Sequence, residues 1–255
     1  CRGEAIAFRS CRMNGVRFFD TALPKVALQK VDLASAMFSK CDLSLGVFYI
    51  VNLTGAKLER CTLTATDLSK AKCGGMSLAG STLSSETKLP MLCDGLSLEG
   101  ATAPGINLAG RSLARANFQT AMLEGADLSK SILNNANLRQ ARLAGARLGG
   151  ALIFQSEVDQ ADLSNADLDG ANLLRASLIK ANLAGASMQG ADLQFADLTG
   201  TPLTAAQVVH AKAIKAATIS GVDFSGADFS GRELHSNRFE NCRFVGANLS
   251  RTMLH

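Results

Sequence analysis

Acid–base or nucleophilic chemistry in this chain would have to come from three histidines, seven cysteines and 22 carboxylates. His210, His235 and His255 share no local motif with a serine or cysteine nucleophile, and the sequence holds no GxSxG, HExxH, phosphate-loop or CxxC pattern. Aspartates recur at one fixed place before a leucine, as at Asp162, Asp167 and Asp192, where short carboxylates suit bonds to neighbouring backbone amides. That regularity assigns them to architecture rather than to a paired acid and base. The cysteines are periodic too: Cys11, Cys41, Cys61 and Cys242 stand two places before a bulky residue, and Cys73 takes the place of one. The residues therefore predict no catalytic site, no metal site and no cofactor, and the chain is expected not to be an enzyme.

What positions these residues is a period of five. From Ala161 to Leu198 a bulky apolar residue stands at every fifth place (Leu163, Leu168, Leu173, Leu178, Leu183, Met188, Leu193, Leu198), with alanine two places before each. A helix would rotate successive leucines by about 140° and scatter them around its surface, and a flat strand alternates every two. The pattern instead implies a repeat architecture in which each unit buries its apolar residues against its neighbours.

This A-(D/N)-L-x-x pattern resembles the pentapeptide-repeat family. The resemblance implies an all-β solenoid, a right-handed quadrilateral parallel β-helix with one pentapeptide per side and about twenty residues per coil. It also implies that the bulky residue and the small residue two places earlier point inward, and that the other three face solvent. About twelve coils at a strand spacing of ~4.8 Å give a rod roughly 60 Å long.

Five segments follow from the register. Residues 1–84 form N-terminal coils, and 96–203 form central coils. Between them, at 85–95, the pattern fails, because Glu86 and Lys88 would point into an apolar interior. Either a loop projects there or one half-coil is deformed with Leu89 and Leu92 substituting; the loop is favoured. Residues 204–216 read as a short α-helix, with Thr204 as N-cap and Gln207 completing a capping box. The register then returns displaced by one in C-terminal coils, 217–255. At a twenty-residue pitch Phe18 stacks on Phe38 and Phe224 on Phe244. Arg111, a charge in a small slot, is expected to reach outward at a corner.

The same pitch places Cys41 on Cys61 and Cys73 on Cys93. Thiols packed as small hydrophobes are favoured over disulfides or a metal, because parallel side chains on stacked strands aim poorly for a disulfide. On that basis the compartment reads as reducing. No apolar run is long enough to span a membrane. The chain begins at Cys1 with the register already running by Ile6–Phe8, which reads as part of something longer.

The formal net charge of +4 is too small to imply nucleic-acid binding. Residues 116–200 are mildly acidic, with nine Asp or Glu against six Lys or Arg. The resemblance therefore keeps a second reading open, since some family members mimic duplex DNA and bind gyrase. The sharper signal is apolar. In twenty-residue coils Ile132, Leu152, Phe154, Leu174 and Phe195 fall on one face and point outward, which marks a contact surface for a protein partner. The rival account is that the 85–95 segment or the 204–216 helix covers it. Leu45, Tyr49 and Ile50 repeat the pattern more weakly. Open strand edges at the rod's ends predict an end-to-end homodimer through C-terminal coils, with Leu249, Met253 and Leu254 as its apolar part. The expectation is a non-catalytic scaffold for protein–protein interaction. By analogy with the family it would be part of a bacterial secreted effector or secretion-system adaptor, cytoplasmic or delivered to a target cell.

Overall fold

Leu163 shows how one side of the solenoid is made. Its amide donates to the Asn182 carbonyl one coil on (2.8 Å), and the Asp162 amide donates to the Ala141 carbonyl one coil back (2.9 Å). The Leu163 carbonyl then accepts from the Ala166 amide (3.0 Å), closing a turn whose third residue, Asn165, has φ of 55°. A positive φ at that place is type II geometry, which asparagine and glycine adopt at least cost. Each turn moves the chain onto the next side, so the fourth one returns it to its starting column. The computed structural model describes residues 6–254, and in it this unit builds a parallel β-solenoid of about 12 turns.

Four columns of inward residues result. Leu28, Leu128 and Leu168 lie on side 1; Leu33, Leu133 and Leu173 on side 2; Phe38, Leu138 and Leu178 on side 3; Leu43, Leu143 and Leu183 on side 4. In the first coils sides 1 and 3 lengthen into short strands. These are β1 (Ala7–Arg9), β2 (Arg17–Phe19), β3 (Ala27–Gln29), β4 (Met37–Ser39), β5 (Val47–Tyr49) and β6 (Lys57–Glu59). They pair in parallel as β1-β3-β5 and β2-β4-β6, with Phe8 beside Leu28 and Leu28 beside Phe48. Through the middle, single bridges recur every twenty residues, as along Ser97, Asn117, Asn137, Glu157, Ser177 and Asp197. Strands return as β7 (Asp197–Leu198), β8 (Thr218–Ser220) and β9 (Arg238–Glu240), again parallel.

The interior is a stack of leucine and alanine with almost no solvent access: Leu168 and Ala171 are both 0 % exposed. Phe18 stacks on Phe38 with ring centroids 4.8 Å apart, and Phe224 on Phe244 at 4.9 Å, as the pitch predicts. A hydroxyl in the small slot finds a backbone carbonyl: Ser81 donates to Leu58 and Ser156 to Leu133, each 23 residues back at 2.7 Å, and Ser131 to Leu128 within its own turn. The aspartates do bond the backbone at turns: Asp162 Oδ1 accepts from the Ser164 amide (3.1 Å) and Asp197 Oδ1 from the Thr199 amide (3.0 Å).

Residues 81–90 form a six-residue side followed by a four-residue side rather than a projecting loop. The extra residue slides Thr87 and Leu89 into the interior (2 % and 1 % exposed) and turns Glu86 and Lys88 to solvent. Leu92 does not substitute in the core; it is 76 % exposed, and Cys93 holds the inward slot. Arg111 is half-buried, and its guanidinium donates to the Leu89 carbonyl from Nε (3.3 Å) and from a terminal nitrogen (3.2 Å).

The second irregular coil contains the helix α1, which spans only Ala205–His210. Thr204 caps it, and the capping box with Gln207 is formed. Val208 fills the side 1 column, and the Gln207 side-chain Nε2 donates to the carbonyls of Leu183 (2.8 Å) and Ala186 (3.1 Å). The helix stops short of 216 because the ladder resumes: Ala213 bridges Asp192 and Ile214 turns inward. One residue beyond the regular pitch enters before that bridge, and the register is thereafter displaced by one.

The expectation of free thiols at every paired position is corrected at Cys73 and Cys93. They form a disulfide, with Cα atoms 5.5 Å apart in the central slots of consecutive coils, within the span that such a bond bridges. Cys41 and Cys61 remain thiols in small slots, where their Sγ atoms donate to the Phe18 and Phe38 carbonyls, each at 3.5 Å, much as serine does. The inference of a reducing compartment rested on free thiols and loses that support.

Candidate partner-contact face

Side 2 is the side on which bulky groups turn outward in consecutive coils. The backbone pairs Ile132 with Leu152 and Leu152 with Asn172, so the two apolar side chains stand in one column. On the neighbouring column the Gln155 amide donates to the Leu174 carbonyl (3.0 Å), which sets Phe154 and Leu174 one coil apart. Phe195 sits at the following corner with φ of 58° and 45 % of its surface exposed. The Arg175 guanidinium lies over its ring, 5.5 Å from the centroid, a cation–π contact that holds the ring outward. Leu152 is 39 % exposed, whereas Ile132, Phe154 and Leu174 are half-buried. All five residues expected from the sequence are thus assembled on one face.

Two further members escaped the sequence reading. Leu92 bridges Ser112, which bridges Ile132, so Leu92 extends the same column toward the first irregular coil, and Met91 beside it is 56 % exposed. The twenty-residue interval from Leu92 to Ser112 was the signal available. Within the face, Asn134 Oδ1 is shut from solvent without a hydrogen-bond partner, the kind of orphaned acceptor that costs on the order of 1–3 kcal/mol. Neither irregular segment covers the face: α1 occupies side 1 of its own coil, and Leu152 and Phe195 stay exposed.

The charged groups follow another logic. Of the nine acidic residues in 116–200, Glu124, Asp127, Glu157 and Asp159 are paired with Arg142, Arg147 and Arg139. Those arginines interrupt the acidic columns. His235 Nε2 lies 3.7 Å from Glu233, His210 ends α1, and His255 lies outside the described residues. Burial pushes the Cys61 thiol up to about 12, which leaves it unreactive at neutral pH. Among the described residues there is no cluster of three His, Cys, Asp or Glu able to hold a metal, and no helix long and apolar enough to cross a membrane.

The pentapeptide repeats, in eight copies, match residues 51–84, 93–129, 121–153, 159–194 and 191–231. The chain belongs to the pentapeptide repeat family. No curated protein matches it. Among solved pentapeptide repeat structures it is similar to HetL from the cyanobacterium Nostoc sp. strain PCC 7120, involved in heterocyst differentiation regulation. Identity there is 23 %, over 97 % of this chain and 90 % of that one, with a TM-score of 0.49. It is also similar to QnrB1, a plasmid-mediated fluoroquinolone resistance protein, at 18 % identity over 95 % and 91 % of the two chains, TM-score 0.31. A third is Rfr23 from the cyanobacterium Cyanothece 51142, at 24 % identity over 65 % and 92 %, TM-score 0.27.

Proposed function

We propose that the chain is a non-catalytic pentapeptide-repeat scaffold whose side 2 contacts a protein partner through Ile132, Leu152, Phe154, Leu174 and Phe195. The observation that carries this reading is the clustering of these five on one uncovered face, where a solvated rod would place polar groups. Phe195 held by Arg175 supplies the aromatic anchor common at interface centres. In the same reading the exposed edge of the C-terminal coils, with Leu249, Met253 and Leu254, receives a second copy of the chain. A place within a bacterial effector or adaptor is the context proposed for it. DNA mimicry is the weaker reading, because arginines pair with four of the nine central carboxylates.

The test replaces Phe154→Asp together with Leu174→Asp and compares partner capture with that of the parent chain and of Arg142→Asp on side 4. The circular dichroism of all three should match. Loss of capture in the double variant alone supports the assignment, and unchanged capture removes the face from consideration. Light scattering that reports a monomer for the full chain would remove the second copy.

A further inference from the structure

A second apolar group lies on an earlier coil than Ile132, Leu152, Phe154, Leu174 and Phe195, and its composition differs. Leu45, Val47, Tyr49 and Ile50 belong to one coil, on β5 and the two corners that flank it, and each is between 46 % and 50 % exposed. Leu45 and Ile50 occupy corners with φ of 59° and 56°. Corners elsewhere carry mostly glycine or small and polar residues; the other large apolar one is Phe195. A β-branched side chain is the least suited to left-handed backbone, so Ile50 pays in both conformation and hydration. Such a combination persists where the side chain has something to do outside the fold.

The neighbours are basic. Lys25 stacks one coil before Leu45, and Lys30 one coil before Ile50, its amide bonded to the Tyr49 carbonyl (3.0 Å). Lys30, Lys70 and Lys72 border an open hollow of about 340 Å³ beside Ile50. Asp32 also lines this hollow, and Asp67 on side 1 is taken up by Lys88 at 3.8 Å. Lys25, Lys30, Lys70 and Lys72 make no ion pair among the described residues.

We propose that this ridge, Leu45, Val47, Tyr49 and Ile50 flanked by Lys25, Lys30, Lys70 and Lys72, docks on an anionic lipid bilayer. The apolar part is one coil thick, a single row of four side chains rather than the broad patch of a stable protein interface. It is enough to enter the interfacial layer of a bilayer, where a tyrosine ring is at home. Lysines on both sides of the ridge then meet lipid phosphates and carboxylates, and the hollow beside Ile50 admits a headgroup. The ridge lies on β5, the last strand of the sheet β1-β3-β5, so its side chains leave the rod from one side.

The experiment sediments the full chain with vesicles of phosphatidylcholine alone and of phosphatidylcholine doped with phosphatidylserine. Binding is expected to the doped vesicles only and to weaken with salt. Lys30→Gln and Lys70→Gln should each weaken it about five-fold. Ile50→Asn is the deciding variant: asparagine suits the left-handed corner, so the melting temperature should hold or rise while vesicle binding falls. Binding to neither vesicle, equal binding to both, or an unaffected Ile50→Asn variant would overturn the proposal. Phe154→Asp with Leu174→Asp should leave vesicle binding unchanged, which separates this surface from the partner face on side 2.

Discussion

The Arg232 guanidinium donates to the Val209 carbonyl, 23 residues back, at 2.6 Å, and to the Ala211 carbonyl beside it. Arg111 does the same for Leu89 in the other irregular coil. Both arginines stand in the small slot of side 2, where other coils carry uncharged residues such as Val51, Ser131 and Ala151, and both reach carbonyls that the interrupted ladder leaves behind. A buried carbonyl without a donor is costly, and a planar guanidinium can serve two at once. Burial lowers the pKa of each arginine, though both stay charged at neutral pH.

Arg232→Ala and Arg111→Ala are therefore expected to destabilise the chain by about 2–3 kcal/mol each, the scale of a charged donor plus an orphaned acceptor. Lysine at either place should recover little, since it is a point charge without the fork. Denaturant titration measures both. Unfolding as easily as in a control such as Arg251→Ala would be the expected result only if the carbonyls found other donors.

Reduction of Cys73–Cys93 should lower the melting temperature. A bridge across twenty residues is worth about 3 kcal/mol in the chain-entropy account, or roughly 6–12 °C for a chain of this size. Cys73→Ala should melt at the lower temperature with or without reductant, and thiol counting in denaturant should find two fewer free thiols before reduction than after.

Leu168→Asp should collapse the coils around it, because a carboxylate enters a column with 0 % exposure and no partner. The loss should be on the order of 4 kcal/mol or more, read as vanished cooperative melting. Leu168→Met, which conserves volume, should cost under about 1.5 kcal/mol.

Acid should weaken the rod only at low pH. Burial raises the Asp162 carboxyl, but the Ser164 hydroxyl and amide, Asn182 and Arg142 together hold it below the usual carboxylate range. Asp127 is lowered in the same way by Ser129 and Arg147 against its burial. A folded value below the unfolded one means stability that is fully present above about pH 4 and lost as pH falls through the folded value. Melting temperature should therefore be flat from neutral pH down to about 5 and fall below about 4. Asp162→Asn, which keeps the acceptor for Ser164, should soften that fall; an unchanged acid profile in that variant would remove Asp162 as its cause.

The period of five was enough to read the columns, the stacking of Phe18 on Phe38 and the outward set on side 2, because one backbone unit repeats with little variation. What it hid was local compensation. A six-residue side followed by a four-residue side has the same length as two regular ones, so counting alone could not separate the Glu86–Leu89 half-coil from a loop. The alanine-rich run after His210 has good helix propensity, yet six residues of helix gain less than the ladder offers Ala213 and Ile214. The disulfide was missed by treating Cys73 and Cys93 as an ordinary stacked pair. Leu92 escaped because a leucine beside a broken pattern invites burial, whereas the resumed register holds it outward.

The regular pitch also makes the molecule a graduated ruler. Ile50 and Gln155 are separated by about five coils, or roughly 24 Å of axial rise at ~4.8 Å each, and no irregular coil lies between residues 96 and 183. Excising or duplicating twenty residues there, for instance 112–131, should move one end relative to the other by a single notch while every turn keeps its neighbours. Distance along this rod can thus be reset by recombination in whole increments, without redesigning either surface.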